Sequence, residues 1–225
     1  MKKTDLIWTS VLLVIITFLI YPTTHKLFMS AVELHPYLMG FVKFSILATM
    51  GELLALRVFL GMWKLPVGII YRMIIWGFFG VTFVLAFDLF AGGVATSTQH
   101  GLLPLFGGGV SKAFFTSALM NLMFGPVFMA LHRVTDTYID LGEGKLEKIL
   151  KLKLANVVEK IDWYGFISFV VLKTIPLFWI PAHTLTFVLP AEYRVLVAAF
   201  LSIALGGILA IAKKKNSNPK QSLAA

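Results

Sequence analysis

The residues best placed to do chemistry are the few polar ones that interrupt long apolar runs. Glu52 falls near the middle of the second run and Lys173 near the middle of the fifth; Asn121 lies mid-way along the fourth, at the depth of Glu52. A charge at the centre of a bilayer costs at least about 2.5–3.5 kcal/mol on insertion scales, so such groups face the bundle interior or water and take partners. The simplest pairing is Glu52 with Lys173, which together with Asn121 makes a polar site at the membrane midplane. Such a pair either serves a passing solute or only holds helices in register. Lys43 and Asp88 lie in the outer halves of their runs and form a second expected pair, read as structural. Arg57 and Arg72 fall near the cytoplasmic interface, where long basic side chains snorkel. His183, on an otherwise apolar face, is read as a hydrogen-bonded core histidine rather than a proton carrier.

No enzyme signature accompanies these groups, and the chain is read as a non-enzyme with no catalytic residue, cofactor or metal. His25, His35, His100, His132 and His183 show no His-Glu-x-x-His spacing, and no Gly-x-Ser-x-Gly elbow occurs. Gly107-Gly108-Gly109 precedes Val-Ser-Lys, but the spacing is wrong for a phosphate loop and no strand leads into it. Asp136 and Asp140, one helical turn apart, could hold a cation, although two acids in a polar stretch are ordinarily solvated. With no cysteine, disulfides, thiolate nucleophiles and cysteine-based metal sites are excluded.

The elements that must carry these residues are membrane spans. Hydrophobic residues make up 58% of the 225 and charged ones 14%, with a mean hydropathy of +0.86. Soluble domains carry about a quarter charged residues, and one core of this size could not bury so much apolar surface. The expected fold is all-α: a single polytopic transmembrane helix bundle over 1–212, with spans near 6–21, 38–62, 68–92, 113–131, 164–189 and 193–212. Four spans, with one or two runs only interfacial, is the alternative. The first run follows Lys2 and Lys3 as a signal peptide would, but it lacks a small-x-small cleavage site and is read as a retained span. The stretch 93–112 is rich in Gly, Ser and Thr yet still greasy, and is expected to be re-entrant or interfacial. Over 145–161, apolar residues recur at helical spacing and five lysines occupy most of the remaining face, which predicts a basic amphipathic helix on the membrane surface. A basic tail, 213–225, is expected to be disordered.

Two further patterns bear on the interior. Gly125-Pro126 interrupts the fourth span, and Pro176 and Pro181 the fifth. Each proline frees a carbonyl one turn upstream, and broken helices lining a cavity are a recurring way to build a polar path across a membrane. Ala198, Ser202, Gly206 and Ala210 form a small-residue stripe at four-residue spacing, suited to close packing within the bundle or against a second copy in a homo-oligomer.

Charge decides the expected orientation. With six spans and the amino terminus inside, Lys2, Lys3, Arg57, Lys64, Arg72, Arg133, the lysines of 145–161 and the basic tail all fall on the cytoplasmic side. Only Lys26, Lys112 and Arg194, with Lys43 in the outer half of a span, fall toward the outside. This satisfies the positive-inside rule, with both termini cytoplasmic in a multi-pass protein of a cell (inner) membrane. The net charge of +9 is assigned to these loops and to anionic lipid headgroups; no basic stripe with interleaved aromatics points to nucleic acid.

His35-Pro36 and Gly51-Glu52, then Gly125-Pro126-Val127 followed by His132-Arg133-Val134 and Asp136, and finally Trp179-x-Pro181, Phe187, Pro190 and Arg194 form islands along the chain. These islands resemble the signature segments of the Mpv-seventeen and peroxisomal-membrane-protein family. Ile180 separates a tryptophan and a proline that are adjacent in that family, and Leu131-His132 replaces its Trp-Tyr pair. The resemblance implies a bacterial relative of a family of small, pore-like membrane proteins; for a eukaryotic chain it implies a mitochondrial inner or peroxisomal membrane. The expected function is a channel or small-solute transporter with a polar midplane site. The alternative is a non-transporting scaffold or assembly factor that binds lipid or a protein partner.

Overall fold

Proline and glycine divide the apolar runs into helices. Pro22, Pro36 and Pro126 each stand in the first turn of a helix, where a missing N–H leaves no bond unmade. The computed structural model describes residues 3–216 other than Leu105, with side chains as far as Ile208. The elements are α1 (Lys3–Ile20), α2 (Pro22–Leu34), α3 (Pro36–Leu60), α4 (Ile69–Gln99), α5 (Gly109–Met123) and α6 (Gly125–Leu141). They continue as α7 (Leu146–Lys151), α8 (Leu154–Glu159), α9 (Trp163–Gly165), a π-helix (Phe166–Trp179), α10 (Ile180–Val188) and α11 (Ala191–Asn216).

Five of these runs are long and apolar enough to cross a membrane: Lys3–Ile20, Pro36–Leu60, Ile69–Gln99, Trp163–Val188 and Ala191–Ile208. The pair α5 and α6, bent by 44° at Phe124, makes a sixth when counted as one span. The chain therefore has the build of a multi-pass helical membrane protein. Apolar side chains such as Leu6, Val14 and Ile20 stay exposed on α1, which has no buried residue, as an element facing lipid should. Its inner edge is tied down by a bidentate pair between Asp5 and Arg57, with Nε–Oδ1 at 2.7 Å and Nη2–Oδ2 at 3.1 Å; Trp63 Nε1 donates to the same carboxylate at 2.8 Å.

The elements differ from the expectation in four places. First, α2 follows α1 directly, in the stretch between the first two expected spans, to which no element was assigned. Second, the stretch 93–112 opens as a continuation of α4 to Gln99 and passes through a glycine-rich loop, 100–108, into α5. At 31 residues α4 is about 46 Å long, well beyond a hydrocarbon core of about 30 Å, so part of it reaches past the bilayer or tilts. Third, the amphipathic helix of 145–161 is two short pieces, α7 and α8, because Leu152 and Lys153 are extended. The break lets Ile149 seat against Gly142 while Val157 and Ile161 bury; Leu146, Leu150 and Leu154 are left exposed. Fourth, Pro176 and Pro181 do not divide the fifth span, which runs unbroken from Trp163 to Val188. Pro176 has no N–H to give and its ring crowds the preceding turn. It sits in the π-helix, whose wider turn accommodates it, and α-register resumes at Ile180. The tail expected at 213–225 continues α11 to Asn216 and beyond that lies outside the described residues.

The centre is built around α3, which packs on α4 and α11. Gly40 and Gly80 bring α3 and α4 together so closely that a Cβ on Gly40 would lie 2.7 Å from the Gly80 carbonyl oxygen. Gly51 and Gly206 do the same for α3 and α11, where a Cβ on Gly206 would lie 2.8 Å from Gly51 O. Ala198, Ser202 and Gly206 of the small-residue stripe thus serve packing and lining inside the chain; the Ala210 side chain lies outside the described residues. Around these crossings sits a core of Phe44, Phe79, Phe83, Phe87, Phe128 and Phe187 with Met120.

Candidate functional site

Arg72 stands in the first turn of α4 and is 6% exposed. Its Nε donates to Val67 O at 3.0 Å. Nη1 meets Glu52 Oε1 at 3.1 Å and Asp136 Oδ1 at 2.9 Å, and Nη2 meets Asp140 Oδ1 at 2.6 Å. One guanidinium fork thus gathers carboxylates from α3 and from two successive turns of α6, the use to which its fixed set of donors is suited. The backbone makes this possible at Gly68 and Gly144, both in the left-handed region at φ 63° and 65°. A Cβ on Gly144 would lie 2.7 Å from Gly68 N, so the turn after α6 lies directly on the start of α4. From α7, Lys148 reaches Glu143 of that turn at 2.6 Å, and its hydrogen bond holds the Glu143 carboxyl below the usual carboxylate range.

Beyond this cluster, inside the bundle, lies a cavity of about 260 Å³. Glu52 and Asp136 stand on its wall with Trp76 and His132, and deeper in are Asn121 and His183. At that deep end Asn121 Nδ2 donates to Ser117 O at 2.8 Å and lies 3.0 Å from His183 Nδ1. Nδ1 also lies 3.2 Å from Asn121 Oδ1, so the ring nitrogen meets the amide as acceptor or as donor according to its tautomer. His183 also stacks on Trp179, with centroids 5.0 Å apart, so both buried polar groups are held rigidly. Nearer the charge cluster the wall is less satisfied. Glu52 Oε2, Trp76 Nε1 and His132 Nδ1 are all buried and none completes a hydrogen bond of good geometry, although the Trp76 indole lies beside the Glu52 carboxylate. His132 Nε2 is 3.5 Å from Asp136 Oδ2, and its ring packs 4.5 Å from that of Trp76. Polar side chains converging on the wall of a largely apolar cavity are the arrangement expected where something binds.

The chain matches no protein-family model, no curated protein and no solved structure.

The structure separates the residues expected to act together. Glu52 and Asn121 share the cavity, as their common depth suggested. Lys173 is exposed on the outer face of the π-helix and does not line it, so Glu52 pairs with Arg72 instead. Arg72 does not snorkel; it is buried among acids. Gly125 lines the cavity at the α5–α6 bend, and Pro126 opens α6 beside it. The expectation that Asp136 and Asp140 are solvated loop acids also fails for Asp136, because α6 extends to Leu141 and turns both toward Arg72. The spacing of His132, Asp136 and Asp140, each four residues from the last, places all three on one helical face and was the available signal.

Lys43 and Asp88 line a second, larger cavity of about 690 Å³ with Glu33, Glu192 and Arg194. No ion pair joins them: Asp88 is exposed, while Lys43 is buried with its ammonium 5.7 Å from the Phe28 ring centroid. The two cavities follow one another along the same helices. Lys43 of the second adjoins Phe44 of the first, Val84 adjoins Phe83, and Val195 lies a turn before Ala198. Between them is an aromatic layer, with Phe44–Phe83 at 4.8 Å, Phe83–Phe87 at 5.9 Å and Phe87–Phe187 at 5.0 Å.

Proposed function

We propose that the protein carries a small solute across the membrane through its own bundle, as a channel or transporter, with Glu52 and Asn121 on the wall of the solute's chamber. The observation that supports this reading is the chamber itself. A dry, close-packed centre would have favoured a scaffold that only binds lipid or partners. Charges are expensive at membrane depth, and here they border an open interior space. The second cavity, in line with the first and separated by a layer of phenylalanines, fits a path interrupted by a hydrophobic constriction. The positive-inside rule sets the Arg72 cluster and the basic segment after α6 on the cytoplasmic side, against anionic headgroups. The islands that resemble the Mpv-seventeen family point the same way, toward a pore-like protein.

Glu52→Gln keeps the shape of the side chain and an acceptor for Arg72 while removing the charge. In liposomes loaded with a panel of labelled cationic, neutral and anionic small solutes, it is expected to change the flux of the transported solute by about tenfold or more, the equivalent of 1.4 kcal/mol. Circular dichroism and the unfolding midpoint should stay close to wild type. Folded wild-type protein that moves none of the panel contradicts the proposal.

A further inference from the structure

We infer that the chamber beside Arg72 is a binding site for a small organic cation, a protonated or quaternary amine held by the negative charge of the Glu52 carboxylate against the faces of Trp76, Phe128 and the rings around them. This deepens the transport reading and rests on it only for the claim that the bound cation crosses the membrane.

Three carboxylates, Glu52, Asp136 and Asp140, face one guanidinium, and Arg133, the next base on α6, is exposed. Arg72 occupies Glu52 Oε1 and Asp136 Oδ1, Glu52 Oε2 lies buried beside the Trp76 indole, and the Glu52 side chain stands on the cavity wall. An ionised carboxylate oxygen only accepts, so its complement is a donor or a positive charge. An anionic solute would meet like charge there.

The rest of the wall narrows the kind of cation. Phe44, Trp76, Phe83, Phe124, Phe128 and Trp179 line the chamber. Aromatic faces attract cations through the ring quadrupole, and more strongly once the cation has shed its water. The protein already treats two of its own cations this way: Lys43 Nζ lies 5.7 Å from the Phe28 centroid and Arg194 Cζ 5.5 Å from that of Phe187. Hard metal cations instead require a shell of six or more oxygens or a fixed octahedron. Among the described residues no three His, Asp or Glu groups are arranged to hold a metal ion. Size agrees as well. An apolar cavity of about 150 Å³ is enough to bind benzene, so about 260 Å³ takes a small organic cation with room to spare.

The test uses the purified full chain in lipid nanodiscs, titrated with choline and with its neutral carbon isostere, 3,3-dimethylbutan-1-ol. Trp76 and Trp179 on the wall report binding by fluorescence. Choline is expected to bind saturably and at least about tenfold more tightly than the isostere, within the range that cation–π contacts span. Glu52→Gln should weaken choline about tenfold or more and leave the isostere unchanged. Should that variant not fold, Phe128→Leu tests the same site and should weaken choline more than the isostere. Equal affinity for the two probes, or choline affinity untouched by these substitutions, overturns the inference. Choline bound but never moved across liposomes sinks the transport reading and leaves the site standing. Glu52-dependent flux of a neutral or anionic solute with no choline binding does the reverse.

Discussion

Arg72→Met is expected to destabilise the protein by about 3–5 kcal/mol, the range for removing one partner of a buried charge network. The loss comes mainly from Glu52 and Asp136, whose side chains are only 24% and 20% exposed and would face each other without a counter-ion. Asp140 is 59% exposed and adds little, since water screens it. Unfolding in detergent, followed by circular dichroism against denaturant or temperature, measures the effect. Arg72→Lys should recover only part of it, because a single ammonium cannot reproduce the fork that reaches three carboxylates. Adding Glu52→Gln and Asp136→Asn to Arg72→Met should recover more, because the stranded charges go with the arginine. An Arg72→Met protein as stable as wild type means that the cluster is not held as described.

Phe83→Ala carries the other large expected effect, on permeability. Phe83 bridges the core, with ring centroids 4.8 Å from Phe44, 4.7 Å from Phe128 and 5.9 Å from Phe87. It also stands on the wall of the first cavity, while its neighbour Val84 stands on that of the second. Truncation to alanine should open the layer between them and raise passive leak of small solutes in liposomes by about tenfold or more, as removing about 1.4 kcal/mol of barrier would do. The same change costs about 3–5 kcal/mol of stability as a core truncation, so the leak is read at a temperature where the variant is folded. Phe83→Leu, which keeps most of the volume, should leak much less. Leak equal to wild type in a folded Phe83→Ala protein would show that the two cavities are not in series.

Much of the fold is written in hydropathy, because spans of about 20 apolar residues are set by bilayer thickness alone. The positions of α3, α4, the Trp163–Val188 run and α11 follow from that, and the break at Gly125-Pro126 is legible from proline chemistry. The site was legible in depth but not in direction. Glu52, Asn121 and Lys173 each lie near mid-span, yet depth says nothing about which way a side chain points around its helix. Helices that are apolar all round carry little contrast between inner and outer faces. Lys173 shows this most plainly: it lies near mid-span, yet on the exposed face of the π-helix. Asp136 was hidden for a different reason: charge ended the fourth apolar run at Leu131, whereas the helix continues to Leu141. Once α6 is extended, His132, Asp136 and Asp140 fall on one face and Arg72 becomes their natural counter-ion.

The central claim is that the space beside Glu52 is reached by solute from water. The chain has no cysteine, so a single Ser202→Cys on the cavity wall can be probed without any other change. Leu172→Cys, 65% exposed on the outer face of the π-helix, serves as the lipid-facing comparison. A water-soluble, positively charged methanethiosulfonate reacts with the thiolate, which forms only where water reaches. In proteoliposomes Ser202→Cys is predicted to react much faster than Leu172→Cys, and to slow when choline is added or when Glu52→Gln is introduced. A Ser202→Cys protein that is folded and reacts no faster than Leu172→Cys would contradict the account.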